Sequence, residues 1–469
     1  MTSIKKNFIY NMLYQILIMI LPLITAPYLA RVIGATGTGL YSYSYSIANY
    51  FVLFAMLGIN NYGNRKIAQV RDDKQKLSRA FWTIYTMQFI MSLLVVFIYI
   101  MYIILFVKEN QMLFIIQTFY VLSSCFDINW FFFGIEKFKL TVTRNTVIKI
   151  ISVISIFLLV KTEEDLWIYT MIMALTILLT QLSIWPFLRK YVDLVKPKKE
   201  EVIKTLKPCI ILFIPVIAVS IYRIMDKIMI GNLSTMEQVG YYEYADKIVN
   251  MPIALVNALG TVMLPKMSNL VAKGEKEKSI EYINKSMEFA LFLATPIVFG
   301  IIAIADDFVP MFLGAEFMPS ADVLKPLSIT IIFIIWANVI KTQYLIPNER
   351  DRDFIISVIL GAMVNLLFNF IFIPKYGAVG ATIGTVLAEL AVTTYQTFAV
   401  RKQLPIKQYF RYFGKSLLAA SIMLAIISTF HYIIPNALMR MCMQVVLGVI
   451  IYAVLYRKYI MQKLLSIRN

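Results

Sequence analysis

Apolar residues arrive along this chain in long runs rather than in the one-sided stripes of a surface helix. Residues 84–106, 209–222, 287–305, 354–373 and 414–434 carry few charged side chains or none. A helix rises about 1.5 Å per residue, so about 20 apolar residues cross a hydrocarbon core about 30 Å thick. Hydrocarbon offers the backbone no hydrogen-bond partner, which leaves helices and closed barrels as the structures able to cross it. These runs lack the alternation of a barrel strand. The pattern therefore predicts an all-α polytopic membrane protein with spans near 9–29, 41–62, 80–106, 112–134, 145–160, 166–188, 209–230, 240–264, 287–306, 322–346, 354–373, 376–400, 414–434 and 438–456, about fourteen in all. The first run follows Lys5 and Lys6 as a signal peptide would, but it is too long for one and reads as an uncleaved first helix.

Composition agrees: 59% of residues are hydrophobic and 15% charged, where a soluble domain has about 25% charged. The net charge of +18 raises the question of nucleic acid, and its distribution answers it. Inner segments hold 34 of the 45 Lys and Arg residues. Outer segments hold Arg31, Lys108, Lys161, Lys325, Lys375 and Arg440, and Lys149, Arg223, Lys227, Lys247 and Lys341 lie inside spans. This positive-inside pattern puts both termini in the cytoplasm and the protein in the plasma membrane. The excess charge meets anionic lipid headgroups, and no nucleic-acid partner is expected. Cys125, Cys209 and Cys442 have no partners at metal-ligand spacing, so neither a metal site nor a disulfide is expected.

The chain repeats itself. GLYSYSYSI from Gly39 resembles GYYEYADKI from Gly240, at an offset of 201 that also pairs Arg65 with Lys266. Ile33-Gly34 resembles Ile230-Gly231, and Glu136-Lys137 after the fourth span echoes Glu349-Arg350 after the tenth. The repeat maps spans 1–6 onto 7–12. It predicts an N-terminal lobe of residues 1–208, a C-terminal lobe of residues 209–400, and two extra helices in 401–469. Six spans is an even number, so the halves share one orientation, an arrangement found in transporters.

Ionisable side chains inside a bilayer are costly, which singles them out as candidates for function. Arg223, Asp226 and Lys227 share one face of the seventh span at i, i+3 and i+4. Asp246 and Lys247 lie at similar depth on the eighth. Arg31 marks the outer end of the first, Asp127 lies near the inner end of the fourth, Lys341 in the inner half of the tenth, and Glu389 near the middle of the twelfth. Two readings stay open. These side chains line a wet cavity that holds a charged substrate, or they pair with one another and lock helices together. Tyr41, Tyr43, Tyr45, Tyr241, Tyr242 and Tyr244 either stack on sugar rings or form an interfacial aromatic belt. Gly380 and Gly384 form a small-residue face suited to close helix packing. His431, the one histidine, sits near an outer helix end, as a proton relay or an interfacial side chain. No nucleophile–base set, metal cluster, phosphate-cradling loop or sizeable outer domain points to an enzyme, and no cofactor is implied.

The stretches LITAPYLARVIGATGTGLYSYSYSI from Leu23, FDINWFFFGIEKFKLTVTRN from Phe126, RIMDKIMIG from Arg223, VGYYEYADKI from Val239 and NLLFNFIFIPKYGAVGATIGTVLAE from Asn365 carry a family resemblance. Through them the chain resembles the Wzx-type polysaccharide repeat-unit flippases of the multidrug/oligosaccharidyl-lipid/polysaccharide exporter superfamily. The resemblance implies two six-helix lobes in a V around a central cavity, with two additional helices. It implies a substrate too, an oligosaccharide repeat unit of O-antigen, capsule or exopolysaccharide linked by pyrophosphate to undecaprenol and moved from the inner to the outer leaflet. A polysaccharide polymerase and export machinery are the further partners it suggests. Arg31, Arg223, Lys227, Lys247 and Lys341 occupy positions that could hold the anionic head, and Asp226 and Glu389 could pair with them or bind a coupling ion. The alternatives are a multidrug or cation antiporter, or a lipid II-type flippase, of the same superfamily. A membrane glycosyltransferase or polymerase would need a catalytic outer loop.

Overall fold

A chain that must satisfy its backbone without water does so within helices. The computed structural model describes residues 2–457, with side chains from Leu21 onward except at 138, 139, 222, 255–259, 261 and 262. Helices and turns make up these residues, with no strand among them. Lys5, Lys6 and the basic residues beyond Arg457, which enter the charge pattern, lie outside the described side chains.

The crossing helices, in chain order, are residues 2–33 (α1) and 35–56 (α2), Lys74–Phe106 (α3), Gln111–Ser123 (α4), Phe138–Leu159 (α5), Leu166–Leu182 (α6), Lys199–Leu233 (α7), Met236–Ala272 (α8), Lys276–Leu313 (α9), residues 319–345 (α10), 351–376 (α11) and 378–399 (α12), Ile406–Ser428 (α13) and Ala437–Leu455 (α14). Eleven continuous stretches among the described residues are long and apolar enough to cross a membrane. Two of these each hold a pair of helices, divided at Gly34 (φ 67°) and Gly377 (φ 55°). The remaining helix, α8, has an uncharged stretch over residues 248–265, part of which lies outside the described side chains. The all-α polytopic fold with fourteen helices is thus the one expected.

The chain forms two compact units, Met1–Gly231 and Asn232–Asn469. The repeat puts a boundary earlier, after residue 208. The difference comes from α7, which packs along α2. The Tyr50 hydroxyl donates to the Ser220 carbonyl at 3.0 Å. Gly58 (φ 75°) rests on the backbone of Cys209 and Phe213, and Gly231 rests against the Tyr43 ring.

In the first unit, a buried aromatic core of Phe81, Trp130, Phe131 and Phe132 joins α3 to the helices Ile59–Val70 and Asn129–Gly134. Gly63 allows this approach, since a Cβ there would lie 2.5 Å from the Trp130 ring. The chain leaves helical geometry after Ser124–Phe126, which frees carbonyls inside the bundle. Gln88 of α3, fully buried, meets them: its Nε2 donates to the carbonyls of Ser124 (2.8 Å) and Asp127 (2.7 Å), and its Oε1 accepts from Trp130 Nε1 (2.8 Å). A broken helix inside a membrane needs such a neighbour.

The weakest echo in the sequence has an identical shape in both units. Glu136 (φ 59°) and Glu349 (φ 55°) are two of the four non-glycine residues with positive φ among the described residues. Lys137 N donates to Phe132 O and Arg350 N to Leu345 O, both at 2.9 Å. Each is the six-to-one bond of a Schellman cap closing a helix end.

In the second unit, α10 is the central helix: 72% of its apolar window is buried, against 17% for α14. It is interrupted at Lys341–Leu345 by a π turn. Arg440 of α14 donates to Asp307 of α9, Nε to Oδ2 at 2.6 Å. The α11–α12 hairpin closes at Gly377 and packs through small residues, as the glycine spacing predicts.

A Cβ on Gly380 would sit 2.3 Å from the Phe372 carbonyl oxygen, a backbone atom that cannot step aside. Gly380→Ala is therefore expected to cost about 1–3 kcal/mol. It should lower the thermal midpoint of the purified protein. An unchanged midpoint means the hairpin is not packed this tightly.

Candidate functional site

The candidate side chains fall into two groups, one in each unit. On α7 the sequence puts Arg223, Asp226 and Lys227 on one face, and the structure grades their burial. Asp226 is fully buried, Lys227 half-buried and Arg223 exposed. The face therefore straddles the edge of the packed unit, with the carboxylate inward and the guanidinium outward. Residues 209–222 of α7 carry no charge, so Arg223 follows directly on an apolar stretch. A guanidinium beside hydrocarbon costs about 2.5–3.5 kcal/mol or more, a cost that water removes.

Arg31 is exposed at the end of α1 and donates to the Pro27 carbonyl of its own helix at 3.1 Å. Asp127 does different work. Its Oδ1 accepts from Asn129 N (3.0 Å) and Asn129 Nδ2 (2.8 Å) at the start of the short helix after the α4 break. Asn129 also donates to Gln181 (2.7 Å) and accepts from Arg144 (3.3 Å). Asp127 is part of this helix-terminating network.

The tyrosines of α2 are packed. Tyr45 stacks on Tyr120 (5.0 Å between centroids) and on Tyr41 (5.8 Å), and Tyr41 meets Tyr169 at 4.6 Å. The Tyr120 hydroxyl donates to Asn49 at 2.9 Å.

In the second unit Lys247 pairs with Glu243 one turn earlier on α8, at 2.9 Å, and its Nζ lies 5.0 Å from the centre of the Tyr244 ring. This pair lies within one helix and does not join two. Asp246 accepts from Asn250 Nδ2 at 2.7 Å. Lys341 is half-buried at the first position of the π turn, its Nζ 5.7 Å from the centre of the Phe354 ring. Glu389 is buried on α12. His431 is exposed and lies edge-on to Tyr432, 5.7 Å between ring centres.

A charge-based reading of the sequence passes over a neutral network in this unit. The hydroxyls of Tyr242 and Thr385 lie 3.2 Å apart, Asn365 Nδ2 is 3.5 Å from Thr385 Oγ1, and Asn369 donates to Asn365 at 3.2 Å. These fully or largely buried groups join α8, α11 and α12. Their signal in the sequence is polar spacing within apolar runs: Asn365 and Asn369 at i, i+4, facing Thr385. Gln343, in the π turn, is fully buried, with neither amide atom bonded; π turns recur at functional positions in helices.

A family profile described as "Polysaccharide biosynthesis protein" matches residues 4–271. The chain belongs to this family. The "Putative O-antigen transporter" of Escherichia coli strain K12 is 24% identical over 405 residues, covering 85% of this chain and 97% of that relative. Its namesake in Shigella dysenteriae is 25% identical over 305 residues, covering 63% of this chain and 75% of that relative. Among solved structures, "Lipid II flippase MurJ, inward closed conformation" superposes with a TM-score of 0.77 at 19% identity, over 97% of this chain and 99% of that one. That likeness shows the fold. The family and its transporter relatives bear out the resemblance carried by the sequence stretches.

Glu243→Gln removes the carboxylate that holds Lys247 inside the bundle. It is expected to destabilise the protein by about 1–3 kcal/mol, read as a lower thermal midpoint in detergent. Exchanging the two residues, Glu243→Lys with Lys247→Glu, should recover most of the loss. Failure of the exchange to recover stability contradicts a stabilising pair between these two positions.

Proposed function

We propose that this protein flips undecaprenyl-pyrophosphate-linked oligosaccharide repeat units from the inner to the outer leaflet of the plasma membrane, by alternating access and without catalysing a covalent step. The observation that carries this is the match to an O-antigen transporter over 97% of that relative's length. The fourteen-helix fold and the intramembrane cations agree with it.

The physics of the substrate explains what such a protein must provide. An oligosaccharide entering hydrocarbon unaided leaves each hydroxyl unsatisfied, at several kcal/mol apiece. A wet polar route removes that barrier while the polyprenyl tail stays in lipid. The pyrophosphate is about a dianion, and an inside-negative potential of about 100 mV favours its outward transfer by about 4–5 kcal/mol. Arg223, exposed, and Lys227, half-buried, hold this anionic head, with Arg31 of the same unit as a further cationic contact. Asp226 and Glu389 set the charge balance when the head is absent. Lys247, held by Glu243, and Asp127, engaged at a helix end, serve the architecture first.

In this reading both termini face the cytoplasm. Residues 1–208 and 209–400 form the two repeat lobes, and residues 401–469 the added helices. A lipid II-type carrier is the nearest second reading, favoured by the likeness to the MurJ fold.

A strain lacking the protein should accumulate lipid-linked repeat units, polymerisation-incompetent and confined to the cytoplasmic leaflet. Accumulation in the outer leaflet points instead to a polymerase. Accumulation of lipid II identifies the second reading. In the same strain, Arg223→Glu and Lys227→Glu should insert normally yet restore less than a tenth of glycan export, a loss of about 1.4 kcal/mol or more. Full complementation by both variants removes these residues from the site.

A further inference from the structure

A second charged region lies away from the intramembrane side chains. Three helix segments of the first unit converge there: Ile59–Val70, the start of α3 and the start of α7. They enclose a cavity of about 400 Å³ lined by Lys66, Lys76, Arg79, Glu201 and Lys204. Four cations share the lining with one carboxylate.

Acidic partners offset only part of this charge. Arg79 donates from two nitrogens to the two oxygens of Glu201, at 2.5 and 3.0 Å. Lys76 lies 3.0 Å from Asp73, which also accepts from the first backbone N–H groups of α3. Lys66 is half-buried and, like Lys204, makes no ion pair among the described residues. Glu201, already paired with Arg79, is also the carboxylate that Lys204 feels, so the lining keeps an excess of positive charge. The threonine hydroxyls on its wall are already engaged: Thr83 donates to the Arg79 carbonyl at 2.7 Å and Thr205 to the Glu201 carbonyl at 2.9 Å. The Tyr62 hydroxyl, also on the wall, is hydrogen-bonded with Thr205, so what remains to recognise a ligand is positive charge, which selects an anion over a neutral sugar. Lysine ammonium groups bind phosphate as point charges.

We propose that this cavity is a binding site for a phosphate-bearing anion at the membrane surface, held chiefly by Lys66 and Lys204 and bounded by the Arg79–Glu201 pair. A cavity of about 400 Å³ suits a phosphate or diphosphate group and is too small for a polymer. Two sources supply that chemistry: the headgroup of an anionic phospholipid, and a soluble phosphate or pyrophosphate. The site is distinct from the one proposed for flipping and does not rest on it.

The test uses the full chain in two settings. Calorimetric titration with inorganic pyrophosphate is done in nanodiscs of phosphatidylcholine. Native mass spectrometry follows retention of phosphatidylglycerol from mixed micelles. The expected result is binding in at least one arm, and the responding arm names the source. Combining Lys66→Gln with Lys204→Gln should weaken it about tenfold or more. Lys285→Gln, at a distant paired lysine, should leave it unchanged. Glu201→Gln, which removes the lining carboxylate and frees Arg79, should tighten it several-fold, and this variant decides the matter if the double one does not fold. No binding of either probe overturns the proposal. So does binding that the double variant keeps in full, or, where that variant does not fold, binding that Glu201→Gln leaves unchanged.

Discussion

Hydrocarbon gives a polar group nothing to bond to, and the main departures from a plain apolar helix in this protein answer that fact. Where α4 breaks, the side chain of Gln88 takes up the freed carbonyls. Where two helices end at Glu136 and Glu349, Schellman caps return the last N–H groups to the helix. Where the chain must reverse without a loop, a glycine with positive φ does it in one residue, at Gly34 and Gly377. The fold is a set of fourteen solutions to one solvation problem, joined by short connections.

The same constraint sorts the charges. Cations at the helix ends are left to water and headgroups. Inside the bundle the structure keeps a carboxylate beside some cations, as with Glu243 and Lys247, or Asp307 and Arg440. Removing either partner leaves the other stranded, so such pairs identify architecture rather than substrate contact. Arg223 differs: it is exposed and follows the uncharged residues 209–222 on its helix. A side chain of that kind, at that depth, is stable only where water reaches it.

How much of this could be read beforehand depends on whether the signal was local. Span lengths are local, so the helices were legible. So was the need for glycine in the α11–α12 hairpin, where spacing alone predicts close approach. The Glu136 and Glu349 echo was visible as a dipeptide match and turned out to be a duplicated cap. Partnerships across helices were not legible. Nothing in the sequence says that Asp127 accepts from Asn129 at the start of a short helix, that Lys247 is held by Glu243 rather than free, or that α7 packs along α2 through Tyr50 and Gly58. The π turn at Lys341 and the neutral Asn365–Thr385–Tyr242 network leave no charge signal in the sequence, because these groups are positioned by packing.

The central claim is that water reaches the charged face of α7 within the bilayer. It can be measured by thiol accessibility in membranes, in a chain whose exposed Cys442 has been replaced by Ser while the buried Cys125 and Cys209 remain. Cysteine placed at Arg223 should react readily with a small charged methanethiosulfonate. Cysteine placed at Ile211, an exposed apolar position on the same helix, should stay unreactive because it faces lipid. Equal silence at both positions would mean that Arg223 lies against lipid or in a sealed seam, and the account of a polar route through this protein would fail.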